Sequence, residues 1–196
     1  MKAVRRVTGR AVPLGRANVD TDQIIPAHWL KRVERTGYGA GLFEAWRRNP
    51  AFVMNDPRYA GASILITGAN FGSGSSREHA VWALEEAGFR AVIAPRLADI
   101  FRANCLKSGL VPVEVESEAA NTLLRAVESD PRAEITIDVE RRTVEGPGVH
   151  AKFALDDHAR TRLLDGLDDI AVTLAHADEI ATYESSRAAW LPSLRD

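Results

Sequence analysis

Ser75, Ser76 and Arg77 follow one another directly after a glycine-rich turn, and that grouping is where this 196-residue chain is equipped for chemistry. The stretch 64–78 reads ILITGANFGSGSSRE. A short apolar run with strand character, Ile64–Leu65–Ile66, is followed by Gly68, Gly72 and Gly74, then two serines, an arginine and Glu78. Beyond it Ala80, Val81, Leu84 and Ala87 are spaced for one helical face. A strand that ends in glycines and feeds a helix N-terminus is a device for holding an anion. Glycine lets the backbone come close to a ligand, and the free amides of the first helical turn point at it with the helix dipole behind them. Two hydroxyls and a guanidinium in the same turn mark this as a site for a negatively charged ligand.

Ser75-x-x-Glu78 also reads as a capping box. That local role is compatible with function, but a cap requires neither three glycines nor a second serine and an arginine. Better-known phosphate loops fail on residue type: a Walker A loop needs a lysine that this turn lacks, and a dinucleotide fingerprint needs glycine where Arg77 stands. Ser75 has no Gly-x-Ser-x-Gly elbow, and His150, His158 and His176 have no Asp or Ser partner at telling spacing, so a hydrolase triad is not supported. His79, beside the apolar stripe, reads as a structural or supporting residue.

The elements that must position this turn follow from the patterning. Residues 2–12 alternate like a strand that ends at Pro13–Gly15. The segment 18–26 is loop-like: Asp20, Thr21 and Asp22 are turn formers, and Pro26 disfavours helix before it. Two acids two residues apart can ligate magnesium, or serve side-chain-to-backbone turns that shape a site wall. The glycines of 37–41 predict a mobile loop able to close over a ligand, with a short helix over 42–48 and an irregular segment over 50–61. Strands over 91–94 and 111–115 enclose a helix over 97–108, which stops at Gly109. Strand–helix–strand–helix–strand over 63–115 predicts right-handed crossovers and a parallel sheet. A helix over 119–128 follows. Runs at 135–139 and 149–155, joined through Gly146-Pro147-Gly148, predict an antiparallel hairpin, and 156–164 and 177–187 are helical. The chain shows no repeats and no domain linker.

Composition narrows the function class. The chain is 45% hydrophobic and 27% charged, ordinary for a globular protein with a core that needs no staple. A net charge of −2 and the lack of a basic tract exclude nucleic-acid and membrane-surface partners. No apolar window reaches about 18 residues, so no transmembrane helix is expected. The basic N-terminus lacks an apolar stretch and is read as a strand rather than a signal or transit peptide, so the expected compartment is cytoplasmic. Cys105 is the only cysteine and falls on an apolar face with Leu97, Ile100 and Phe101, which predicts a buried thiol. A cluster held by thiolates needs three or four cysteines, so this chain alone cannot hold one.

The residues now carry a resemblance. NFGSGSSREHA at 70–80 resembles the signature of the small, swivelling domain of the aconitase superfamily, and NVDTDQIIPAHWL at 18–30 resembles that domain's N-terminal signature. RTGYGAGLFEAWR at 35–47 and AVIAPRLADIFRANCLKSGLVPV at 91–113 resemble the 3-isopropylmalate dehydratase small-subunit family. The likeness runs from about residue 3 to the C-terminal helix. It implies an α/β fold, a swivelling β/β/α three-layer domain with a parallel central sheet and an added antiparallel layer. One such domain with a C-terminal helical extension would span 1–196.

The implied activity is that of a hydro-lyase. It would interconvert 2- and 3-isopropylmalate through 2-isopropylmaleate in leucine biosynthesis, active only with a large subunit that brings a [4Fe-4S] cluster. This chain itself would bind no metal. Carried over position by position, Ser75 is the base, acting as an alkoxide, and Arg77 stabilises that alkoxide and clamps a carboxylate. Ser76 donates to the substrate carboxylate, and Gly74 and Asp22 are further substrate-binding residues. Arg32, with Lys31 as substitute, grips a second carboxylate, and the alkyl pocket lies near Trp29–Val33. One departure is that Ser73 stands where some members carry a cysteine. Two further readings remain: a related hydro-lyase acting on homoaconitate or citraconate, and a non-catalytic anion-binding assembly module.

Overall fold

The first strand, β1 (Arg6–Pro13), is shared between two kinds of pairing, and that division organises the molecule. Its first half, Arg6–Arg10, runs antiparallel to a later strand, whereas Ala11–Pro13 runs parallel to Ile64–Ile66. The computed structural model describes residues 1–34, 36–74, 77–188 and 190–191. After β1 the chain makes two one-turn helices, α1 (Thr21–Ile24) and α2 (Glu44–Arg47), with four short 3₁₀ turns around them. The parallel half follows: β2 (Ile64–Ile66), α3 (Glu78–Glu86), β3 (Ala91–Ala94), α4 (Asp99–Ser108) and β4 (Val111–Glu114). Helix α5 (Ser117–Ser129) leads to the antiparallel half, β5 (Glu134–Asp138), β6 (Thr143–Gly146) and β7 (Val149–Lys152). Helices α6 (Asp157–Asp165), α7 (Asp169–Leu174) and α8 (Ala177–Ser186) close the chain. Among the described residues the strands form one seven-stranded sheet in the order β4-β3-β2-β1-β5-β6-β7. The expected α/β architecture, parallel at one end and antiparallel at the other, is present.

Burial explains why the parallel half is stiff. Every residue of β2 and β3 is buried, as unbroken apolar runs covered on both faces require. Helix α4 stops at Gly109 in a left-handed conformation, φ 101°, as its sequence predicts.

Three expectations are corrected. The antiparallel unit is a three-stranded meander, because β6 intervenes between the two runs expected to pair. Its turn is built by Arg142 at φ 57° and by Arg141 N–H donating to the Asp138 carboxylate at 2.8 Å, which a run of charged residues conceals in the sequence. The 37–41 segment is packed down: it forms a 3₁₀ turn over Tyr38–Gly41 with Tyr38 and Gly41 buried. Ile100 leaves the buried face of α4, where Phe101, Asn104 and Cys105 sit, and is 52% exposed. No helix among the described residues is long and apolar enough to cross a membrane.

Candidate active site

The glycine turn is held between two other loops. On one side it meets the 18–21 segment. Asn18 N–H donates to Ala69 C=O at 2.9 Å, Gly72 and Ser73 N–H both donate to Val19 C=O at 2.7 and 3.1 Å, and Thr21 N–H donates to Ser73 C=O at 2.9 Å. Asn18 and Asn70 both stand at positive φ, 55° and 60°, with their side chains joined at 2.9 Å. On the other side Asn70 N–H donates to Arg96 C=O at 2.8 Å and Ala98 N–H to Phe71 C=O at 2.9 Å. These backbone bonds satisfy groups that an irregular loop would otherwise leave unpaired. They also fix the two signature segments, some fifty residues apart in the chain, side by side.

Between them lies a cavity of about 210 Å³ lined by Thr21, Gly72, Gly74, Arg77, Ala98, Asp99, Ile100 and Phe101. Gly72 is essential to its floor. It stands at φ 79°, and a Cβ there would overlap the Phe101 side chain. Arg77 is the one cation among these residues. Its guanidinium is 21% exposed and pairs with the Asp22 carboxylate, itself 55% exposed. Wider grooves at 50–59 and 95–117 carry no comparable convergence of cation, glycines and helix end.

The nine-residue helix α3 starts at Glu78, with Arg77 in the N-cap position at φ −108°, ψ 114° and no side-chain cap. It therefore begins two residues later than a Ser75 cap would start it. The extended backbone at Arg77 accompanies its side-chain pairing with Asp22, and Glu78 is the first helical residue rather than the third that the expected box requires. Ser75 and Ser76 lie outside the described residues. The positive end of α3 and the Arg77 guanidinium come together beside the pocket, the combination that stabilises anions.

The acids of the first signature divide their labour. Asp20 caps α1 through a capping box, accepting from Gln23 N–H at 2.8 Å while its own N–H donates to Gln23 Oε1 at 3.0 Å. It is a turn-forming residue, as one of the two readings of that segment expects. Asp22 is the acid that faces the site.

Lys31 and Arg32 are not among the pocket residues. Lys31 ends the Ala27–Lys31 turn, and Arg32 lies with its guanidinium 5.3 Å from the Trp29 ring centre and 3.9 Å from the Glu34 carboxylate. Its neighbour Gly37 donates to Glu86 at 3.2 Å, as Gly39 does at 2.9 Å. Trp29 in turn donates to Glu44 at 2.6 Å, and His28 pairs with the same carboxylate at 2.9 Å; the Trp29 hydrogen bond is the main cause of the lowered Glu44 pKa. The apolar lining of the pocket comes instead from Ala98, Ile100 and Phe101, which the sequence placed only on a helix. No local signal in 98–101 announced it, because the contact is made by the crossover into α4.

His79 packs edge-on against Tyr38 at 5.1 Å and near Trp82 at 4.7 Å, and burial lowers its pKa. It ties the 37–41 turn to α3. Cys105 is fully buried, and burial pushes its thiol well up. Among the described residues no three His, Cys, Asp or Glu side chains gather as a metal site.

Comparison with known proteins now adds a second line of argument. The family model for the aconitase C-terminal domain matches residues 1–118, and the model for the C-terminal domain of the 3-isopropylmalate dehydratase small subunit matches 169–194. The chain is 58% identical to the 3-isopropylmalate dehydratase small subunit of Parafrankia sp. over 98% of its length and 99% of that protein. It is 60% identical to the protein of the same name from Frankia alni, over the same shares. The counterpart from Streptomyces coelicolor is 56% identical, over 98% of each chain. In fold it resembles the crystal structure of 3-isopropylmalate dehydratase from Methanocaldococcus jannaschii, with TM-score 0.64 and 24% identity over 91% of this chain and 99% of that one.

Proposed function

Because this chain belongs to the 3-isopropylmalate dehydratase small-subunit family of the aconitase superfamily, we propose that it supplies the base and the carboxylate clamp of that hydro-lyase. It acts in the cytoplasm as one swivelling domain, joined to a large subunit. The family's reaction interconverts 2- and 3-isopropylmalate through 2-isopropylmaleate. The observation that carries the reading is the meeting of the two signatures around one pocket, with Arg77 and the start of α3 at its edge.

Dehydration removes a proton alpha to a carboxylate and a hydroxide from the neighbouring carbon. The C–H electron pair becomes the new double bond, and rehydration reverses the events with the positions exchanged. In this reading Ser75, as an alkoxide, takes the proton. Serine is too weak an acid to ionise unaided, so its setting must favour the anion. Gly74 and Arg77, the described residues on either side of the serine pair, both line the pocket, which supports placing a cationic and dipolar field there. Arg77 clamps a substrate carboxylate bidentately, where lysine would offer only a point charge. Asp22 holds Arg77 in place beforehand and yields to the substrate. Ser76 donates to the same carboxylate. Ala98, Ile100 and Phe101 offer an apolar wall to the alkyl group. Arg32, with Lys31 as substitute, grips the second carboxylate in this reading.

Departure of hydroxide needs a Lewis acid. This chain's residues do not fit a cluster, since its single thiol is buried in the α4 core face. The [4Fe-4S] cluster of the large subunit supplies that chemistry.

The test is anaerobic hydration of 2-isopropylmaleate, followed by loss of ultraviolet absorbance. It is run with this chain alone, the cluster-loaded large subunit alone, and the two mixed. Turnover only in the mixture is expected. No turnover in a mixture whose cluster is verified intact would overturn the reading. Ser75→Ala in the mixture should abolish turnover, and near-normal rates would remove Ser75 as the base.

A further inference from the structure

Helices α7 and α8 lay little of their surface against the rest of the described residues. No residue of α7 or α8 is buried. Their six and ten residues fall short of the length, roughly 12–15, at which an isolated helix holds its shape in water. Of the seven large apolar side chains exposed among the described residues, five lie here: Ile170 at 72%, Leu174 at 64%, Ile180 at 40%, Tyr183 at 66% and Trp190 at 82%. The arm is tethered to the body by charges at its base. Asp169 pairs with Arg162 at 2.6 Å and Lys107 at 3.6 Å, and the N-terminal ammonium pairs with Asp168 at 3.5 Å. Exposed apolar clusters of this kind mark interaction surfaces.

Two features select the occupant. The far part of the arm is acidic by sequence: beyond Asp168 and Asp169, which are tied to the body, it carries Asp178, Glu179 and Glu184 against a single arginine, Arg187, and no lysine. A twofold pairing with a second copy would set like charge against like, which is costly at an interface. The arm is also continuous with the pocket edge through α4. That helix carries Ile100 of the pocket in its first turn and Lys107, the anchor of α7, in its last, about 10 Å apart along the axis. A polypeptide that covers the pocket reaches the arm by following one helix.

We propose that the α7–α8 arm is a docking element for the large subunit. Its apolar side chains seat in a groove on that subunit rimmed by lysine or arginine. The inference rests on the two-subunit reading above, but not on the roles given there to Ser75 or Arg77.

The experiment uses the full-length chain and the cluster-loaded large subunit. Association is measured by sedimentation for the parent chain and for a Leu174→Ser/Ile180→Ser/Tyr183→Ser variant whose fold is checked by circular dichroism. The expected result is at least a tenfold weaker complex, with turnover per complex recovered when the variant is added to saturation. Amide exchange over 170–186 should slow when the large subunit is added to the parent chain, and the affinity should fall as salt rises. Equal affinity of parent and variant, or unaltered exchange in a formed complex, would overturn the proposal. So would concentration-dependent dimerisation of the chain alone that the triple variant abolishes, since that names a second copy as the occupant. A complex that forms through the arm but does not hydrate 2-isopropylmaleate would overturn the functional reading and leave this one standing.

Discussion

Replacing Gly72 by alanine tests the floor of the pocket, and Gly88 provides its control. Both glycines have positive φ, 79° and 99°. An alanine Cβ in that left-handed region costs about 1–2 kcal/mol at either place. At Gly88, just beyond α3, the added atom meets nothing within 4 Å, so the backbone cost stands alone. At Gly72 the same atom lies 2.5 Å from Phe101 Cβ and 2.6 Å from Cδ2, inside any real contact. Phe101 cannot give way freely, because it is 2% exposed and its ring packs edge-on to Phe71 at 5.3 Å. Overpacking of a buried site adds about 1–3 kcal/mol. Gly72→Ala should therefore lose about 2–5 kcal/mol and Gly88→Ala about 1–2 kcal/mol, read as shifts in the urea midpoint at constant slope. Because Phe101 also lines the pocket, Gly72→Ala should lower turnover of the assembled enzyme even where it remains folded. Equal losses in the two variants would refute the reasoning, since they would show that Phe101 yields at no cost.

Other perturbations follow from the same geometry. Arg77→Lys keeps the charge but loses the fork, and turnover in the assembled enzyme should fall about 10²–10³-fold with the fold intact by circular dichroism; parent-like turnover would show that a point charge suffices. Burial, opposed by Arg90 and reinforced by Glu86, pushes Glu85 up to about 7 from an ordinary value near 4.5. The folded state thus holds this proton more tightly than the unfolded one, so the relative stability it confers is full below about pH 4.5 and lost as pH rises through about 7. Glu85→Gln should accordingly gain about 1 kcal/mol at pH 8, after allowance for solvent screening of a partly exposed group, and almost nothing at pH 4; equal urea midpoints at pH 8 would contradict this. Glu86→Gln weakens the hold on Gly37 and Gly39 N–H, so exchange of those two amides, followed by nuclear magnetic resonance, should quicken by about tenfold; unchanged protection would place the strength of that turn in Tyr38 packing alone.

Much of this molecule is legible in its sequence because the determining interactions are local. Unbroken apolar runs specify the buried strands β2 and β3, and Gly109 specifies the end of α4. Lone Cys105 on an apolar face specifies a buried thiol. Where local signals mislead, a distant partner has intervened. Ser75 and Glu78 have the spacing of a capping box, yet Arg77 takes the N-cap position while its side chain pairs with Asp22, fifty-five residues earlier in the chain. The glycines of 37–41 read as a mobile loop, yet Glu86 and the His79–Tyr38–Trp82 contacts hold them on α3.

The sequence by itself determined the fold class and the family, and it supplied the residue types proposed here for proton transfer and carboxylate binding. Tertiary structure alone decided which residues share the pocket. Arg77, paired with Asp22, lines it together with Gly72 and the 98–101 crossover, whereas Lys31 and Arg32 are not among its lining residues. It also decided that the apolar residues of α7 and α8 find no cover within the described chain. The physical reason is the same in each case. Propensity and periodicity act over a few residues, but convergence depends on sheet order and crossover path, which bring together segments that share no local signal.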